Sequence, residues 1–179
     1  QKKYIKSNKN KTIIDKMPLN IIYVGEIVRI FPNAKFILAI RHPCDCVLSC
    51  FMQNFELNDA MANFLNLEDS AKLYDITMSL WETYSKVFSI NFHVIKYEDI
   101  VSSFDKSVEK LLNFLDLPWS ENVKKFYKKA EMRGVINTPS YNQVSQPIYS
   151  KSIGRWKNYN KEISTIIPNL DPWIKRYKY

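Results

Sequence analysis

The spacing of apolar residues along the chain predicts strands and helices in alternation. Apolar side chains recur at helical spacing from Ile21 to Phe31, as in a helix with one buried face. The stretch Lys35–Ile40 is instead continuously apolar after its first residue, as in a parallel strand that is covered on both faces. Two further runs, Thr12–Asp15 and Phe92–Tyr97, are also predicted to be strands.

The remaining apolar segments predict five more helices. These cover residues 43–55, 67–88, 105–116, 120–131 and 160–168, and a loop occupies residues 56–66. In the longest helix, the predicted inner face carries Leu73, Ile76, Leu80, Trp81, Tyr84 and Phe88. Strands that alternate with helices imply βαβ units and a parallel sheet. We therefore predict one α/β domain over residues 1–179, with helices flanking the sheet.

The composition is that of a globular domain with an excess of basic residues. Of the 179 residues, 46 % are hydrophobic and 25 % are charged, and the formal net charge is +8. A basic chain favours anionic partners, such as nucleic acid, an acidic membrane surface or a phosphorylated small molecule. No apolar run is long enough to span a bilayer, and the polar, lysine-rich first twelve residues are unlike a signal peptide. Charge alone does not choose among these partners.

The three cysteines, Cys44, Cys46 and Cys50, fall within one short segment. Their odd number and C-x-C-x3-C spacing match no zinc pattern, and His42 is the only histidine nearby. We therefore predict no metal site, and interpret the cysteines as reduced thiols packed on a helix.

Polar residues follow the apolar runs at three predicted strand ends, at residues 15–16, 41–42 and 97–98. Ligands of parallel sheets bind at the carboxyl ends of the strands, so these residues form a candidate anion site. Arg41 and Ser49 are the sharpest pair. A guanidinium can grip two phosphate oxygens, and a hydroxyl on the following helix can donate to a third.

Three blocks of sequence then stand in a characteristic order, at residues 15–20 (DKMPLN), 31–36 (FPNAKF) and 41–49 (RHPCDCVLS). They resemble the sulfotransferase superfamily, and within it the tyrosylprotein sulfotransferases and their bacterial relatives. The resemblance implies that Arg41 and Ser49 bind the 3′-phosphate of the donor, 3′-phosphoadenylyl sulfate. It also implies that Lys16 is catalytic and steadies the bridging oxygen and the transferring sulfuryl group, where negative charge develops.

The resemblance continues at residues 96–99 (KYED), 140–147 (SYNQVSQP) and 154–156 (GRW). It implies that Tyr97 borders the nucleotide, and that Ser140, Gln143 and Arg155 belong to a lid that contacts it. Trp156 is interpreted as a packing anchor. Residues 132–161 contain no Asp or Glu, which agrees with a segment that closes over a dianion.

The chain departs from the family pattern in two places. Some relatives carry a second arginine where this chain has Gln53. The family also holds the 5′-phosphosulfate in a Ser-Gly-Thr loop before the catalytic lysine, whereas the glycines of this chain are Gly25, Gly134 and Gly154. The expectation is a P-loop-NTPase-like fold truncated at its N-terminus, lacking the first βα unit and inactive alone. The general base is not identified.

The expected function is sulfuryl transfer from 3′-phosphoadenylyl sulfate to an acceptor hydroxyl on protein tyrosine or carbohydrate, without a metal or a nucleic-acid partner. The missing loop leaves open a non-catalytic nucleotide-binding remnant of the same fold. The net charge of +8 leaves open, less favourably, a basic nucleic-acid-binding domain. The expected location is the cytoplasm, or the Golgi lumen for a eukaryotic homologue with an upstream membrane anchor.

Overall fold

Two parallel strands form the sheet in the described part of the chain. The computed structural model of the protein describes residues 12–17, 19–128 and 147–179. Strand β1 (Lys35–Ile40) pairs in parallel with β2 (Asn91–Lys96), with Lys35 opposite Asn91 and Ile40 opposite Lys96. The predicted α/β class, with a parallel sheet flanked by helices, is confirmed at this level.

Seven helices are bounded within the described residues. They are α1 (Val24–Ile30), α2 (Pro43–Phe51), α3 (Leu67–Val87), α4 (Tyr97–Ser102), α5 (Phe104–Phe114), α6 (Asn160–Ser164) and α7 (Ile167–Arg176). Short 3₁₀ turns lie at Asn20–Tyr23, Met61–Phe64, Glu121–Lys125 and Arg155–Tyr159. No helix in these described ranges combines the length and the apolar character that crossing a bilayer requires.

The predicted strand at residues 12–15 is wrong, because residues 12–17 carry no strand. The side chains of Ile13 and Ile14 are 70 % and 77 % exposed. A strand is stabilised by a hydrogen-bonded neighbour and by burial of at least one face, and this segment has no strand pairing. A short apolar run does not supply either condition by itself.

The inner face of α3 is also placed differently from the prediction. Trp81 is buried as predicted, at 3 % exposed, but Ile76 is 64 % exposed and Met78, which was not predicted on this face, is 5 % exposed. The buried face also contains the small residues Ser70 and Ala71. Small side chains carry little hydrophobic signal, so the sequence pattern gave too much weight to the larger residues around them.

The core consists of two apolar clusters that α7 joins. One cluster packs α2 and α3 against the C-terminal helices, and its fully buried members include Cys44, Ala71 and Leu170. The other packs the two strands, α1 and α3 against Trp173. The Trp173 indole N–H also donates to Asp75 Oδ1 on α3 at 2.7 Å. Helix α7 therefore packs against both α2 and the cluster that contains the two strands.

The C-terminal segment forms two helices where one was predicted over residues 160–168. Helix α7 begins at Ile167, and Pro168 occupies its first turn. Proline is well tolerated there because the first N–H groups of a helix have no intrahelical partner.

Candidate functional site

A cavity of about 280 Å³ lies beyond the carboxyl end of β1. Four of the residues expected to bind a ligand line it together, namely Arg41, Ser49, Tyr97 and Arg155. They come from the end of β1, from α2, from the start of α4 and from the segment after residue 147. Residues that are far apart in sequence thus meet at the edge where parallel strands present ligand sites.

The turn from β1 into α2 sets the positions of Arg41 and Ser49. His42 caps α2, since its Nδ1 accepts a hydrogen bond from Cys44 N–H at 3.3 Å, and Pro43 takes the first helical position. Asp45 and Ser49 are four residues apart on α2, so their side chains share one face of the helix. That face forms one wall of the cavity.

The guanidinium of Arg41 is held on several sides. Its Nη2 donates to Ser152 O and lies 3.8 Å from Asp45 Oδ1. Its central carbon lies 5.4 Å from the centroid of the Tyr97 ring. Arg41 Nε is buried and finds no hydrogen-bond partner among the described residues. A cation with an unused buried donor is well suited to bind an anion.

Tyr97 joins the start of α4 to the opposite wall of the cavity. Its hydroxyl donates to Tyr149 O at 2.6 Å. Burial raises the pKa of Tyr97, so the hydroxyl remains protonated and able to donate near neutral pH.

Asp45 is the site residue that sequence reasoning missed. Its side chain is fully buried, and it accepts hydrogen bonds from Gly154 N–H at 2.7 Å and from Trp156 N–H at 2.9 Å. Its spacing of four residues from both Arg41 and Ser49 was the available signal. A carboxylate repels an anionic ligand, so sequence alone does not suggest Asp45 as a residue of an anion site.

His42 and Trp156 pack together beside the cavity. Their rings are stacked, with centroids 5.0 Å apart and planes 18° apart, and Trp156 also packs on the first core cluster. Trp156 is thus a packing anchor, as expected. Burial lowers the pKa of His42, which keeps the ring neutral and lets Nδ1 accept the Cys44 hydrogen bond. The backbone N–H of His42 donates to Glu98 Oε1 at 2.9 Å.

The three cysteines are free thiols on α2, as expected. Cys44 is buried, and burial raises its pKa to about 11. A hydrogen bond between Cys46 and Cys50 raises the pKa of Cys46 and lowers that of Cys50. Within the residues that the structure describes, no group of three or more His, Cys, Asp or Glu side chains could hold a metal ion.

Three expected site residues are not among those that line the cavity in the described part of the chain. Lys16 is exposed in the segment 12–17 and does not line the cavity. Ser140 and Gln143 lie outside the described residues.

Comparisons with known proteins identify the family of the chain. A family model described as the sulfotransferase family matches residues 3–121. An uncharacterized protein of Aquifex aeolicus is 30 % identical over 175 residues, and the alignment covers 93 % of this chain but 23 % of that protein. The chain therefore spans less than a quarter of the length of this relative. Since the family model covers well over half of its residues, the chain belongs to the sulfotransferase family.

Proposed function

We propose that the protein transfers a sulfuryl group from 3′-phosphoadenylyl sulfate to an acceptor hydroxyl, and that this chain carries the part that binds the 3′-phosphate. The observation that supports this most is the meeting of Arg41, Ser49 and Tyr97 in one cavity, with Arg41 Nε buried and unpaired among the described residues. A phosphate accepts several hydrogen bonds, and this cavity supplies donors from two directions.

The cavity suits a ribose phosphate in size and charge. Its volume of about 280 Å³ is near the lower end of the range for ligand pockets, roughly 300 Å³. Arg41 and Arg155 bring two positive charges to the lining and Asp45 brings one negative charge.

The proposed chemistry is an in-line displacement at sulfur. The acceptor oxygen forms a bond to sulfur as the bond between sulfur and the 5′-phosphate oxygen breaks, and adenosine 3′,5′-bisphosphate leaves with the electron pair. The proton of the acceptor hydroxyl passes to a general base or to solvent water. A fixed cation beside the leaving oxygen lowers the barrier because it complements the charge that develops there. We assign that role to Lys16, and donor contacts to Ser140, Gln143 and Arg155. The acceptor is proposed to be protein tyrosine or a carbohydrate hydroxyl.

A non-catalytic nucleotide-binding module is the second candidate. The exposed position of Lys16, outside the cavity lining, favours it. Both candidates require the same 3′-phosphate site, and they differ in whether the full-length protein releases adenosine 3′,5′-bisphosphate when it is given donor and acceptor.

Isothermal titration with two nucleotides tests the shared proposal. We expect adenosine 3′,5′-bisphosphate to bind at least about 30-fold more tightly than adenosine 5′-monophosphate, because only the former carries the phosphate that Arg41 and Ser49 bind. In a Ser49→Ala variant this ratio is expected to fall about fivefold, because the hydrogen bond from the Ser49 hydroxyl to the 3′-phosphate is lost. Equal affinity of the wild-type protein for the two nucleotides would refute the proposed phosphate site.

A further inference from the structure

We infer that Asp45 is a positioning residue of the nucleotide site, where it aligns the Arg41 guanidinium and fastens the turn at residues 154–156 to α2. The inference rests on the proposed function. The fully buried carboxylate of Asp45 lines a cavity whose proposed ligand is an anion. Such a charge opposes ligand binding unless it organises groups that favour binding by more.

Both carboxylate oxygens of Asp45 have specific backbone partners. Oδ2 accepts the N–H of Gly154 at 2.7 Å, and Oδ1 accepts the N–H of Trp156 at 2.9 Å. Gly154 has a φ of 69°, a left-handed conformation that favours glycine, and it directly precedes the 3₁₀ turn that begins at Arg155. An ionised carboxylate can accept both hydrogen bonds in this geometry. An asparagine side chain has one acceptor oxygen and can accept at only one of the two positions.

The same carboxylate fixes one edge of the Arg41 guanidinium. Asp45 Oδ1 and Ser152 O both lie against Nη2, and the Tyr97 ring lies 5.4 Å from the guanidinium carbon. Arg41 Nε remains without a partner in the part of the chain that the structure describes. Nε is therefore the donor left to bind a phosphate oxygen, and its direction depends on the contacts at the neighbouring Nη2.

Asp45 thus couples two walls of the cavity. Arg41 comes from the end of β1, whereas Tyr149, Ser152 and Arg155 belong to the segment that precedes and enters the turn. Because one buried side chain contacts both parts, a displaced carboxylate disturbs the direction of Arg41 and the position of this segment together. The expected defect is a loss of 3′-phosphate recognition that exceeds any loss in affinity for adenosine.

The test is a titration of the Asp45→Asn variant with adenosine 3′,5′-bisphosphate and with adenosine 5′-monophosphate. We expect about a 10-fold loss of affinity for the bisphosphate and less than about a 2-fold loss for the monophosphate, because only the bisphosphate uses the aligned Arg41. A general loss of structure would weaken both nucleotides alike. The ratio of the two affinities therefore distinguishes a misaligned Arg41 from a general loss of folded structure.

Asp75→Asn is the matched control. Asp75 also accepts an internal hydrogen bond, from the Trp173 indole at 2.7 Å, but it does not line the cavity. Its affinity ratio is expected to equal that of the wild type. If Asp45→Asn keeps the wild-type ratio or binds the bisphosphate more tightly, Asp45 is only a repelling charge and the inference is overturned. A wild-type protein without any preference for the bisphosphate would instead refute the proposed function itself.

Gly154→Ala tests the same coupling if Asp45→Asn does not fold. The added methyl group would meet only the Lys157 side chain, at 3.7 Å, so the substitution acts through the positive φ. Strain in the turn is expected to weaken the hydrogen bonds from its N–H groups to Asp45. The ratio of bisphosphate to monophosphate affinity should then fall about threefold. An unchanged ratio in folded Gly154→Ala protein would also contradict the inference.

Discussion

Replacement of Arg41 by alanine is expected to reduce the affinity for adenosine 3′,5′-bisphosphate by about 100-fold or more. The variant loses the guanidinium that lines the cavity and whose Nε is buried without a partner among the described residues. Charge-assisted hydrogen bonds contribute about 1.5–3 kcal/mol each, so the loss of the hydrogen bonds between the Arg41 guanidinium and the 3′-phosphate accounts for this change. Isothermal titration measures it directly.

Two further variants make the Arg41 result interpretable. Arg41→Lys keeps the charge but loses the planar fork, and we expect an intermediate loss of about 10-fold. Arg176→Ala makes the same side-chain change at an exposed ion pair with Glu82, and should leave the affinity within about twofold of the wild type. Wild-type affinity in a folded Arg41→Lys or Arg41→Ala variant would contradict the assigned role.

The largest expected effect on stability comes from Leu170→Ala on α7. Leu170 is fully buried among residues of α2, α3 and α6. Truncation of a leucine in such a position creates a cavity and destabilises the fold by about 3 kcal/mol. In a protein of this size the melting temperature should fall by roughly 6–12 °C. Thermal denaturation followed by circular dichroism measures the shift.

Ile76→Ala is the control for this prediction. Ile76 is 64 % exposed on α3, so its truncation should change the free energy of unfolding by less than about 0.5 kcal/mol. The pair is informative because the sequence pattern alone placed Ile76 on the inner face. If Ile76→Ala proved as destabilising as Leu170→Ala, the described packing of α3 and α7 would be wrong.

The strands and long helices could be predicted because their signals are local. The apolar runs of β1 and β2 and the periodicity of α3 follow directly from side-chain spacing. The segment at residues 12–15 could not be placed correctly, since a strand also needs a neighbour, and no local pattern supplies one. The face that α3 buries depends on small residues such as Ala71, which allow close packing but have a weak apolar signal.

The candidate site could be predicted in part for a different reason. Arg41, Ser49, Tyr97 and Arg155 were selected by motif resemblance and by position at strand ends, and the structure brings all four to one cavity. Asp45 could not be selected, because its role lies in contacts with Gly154 and Trp156, more than a hundred residues away. The role of a buried carboxylate depends on its hydrogen-bond and ion-pair partners, and these are known only once the chain is folded.

The central claim is that the cavity at the end of β1 binds the 3′-phosphate of the donor nucleotide. A crystal structure of the protein with adenosine 3′,5′-bisphosphate tests it most directly. We predict that the 3′-phosphate lies within hydrogen-bonding distance of Arg41 Nε and Ser49 Oγ, with Asp45 still bound to the Gly154 and Trp156 amides. A nucleotide bound elsewhere, or bound with its 3′-phosphate in solvent and Arg41 turned away from it, would contradict the account.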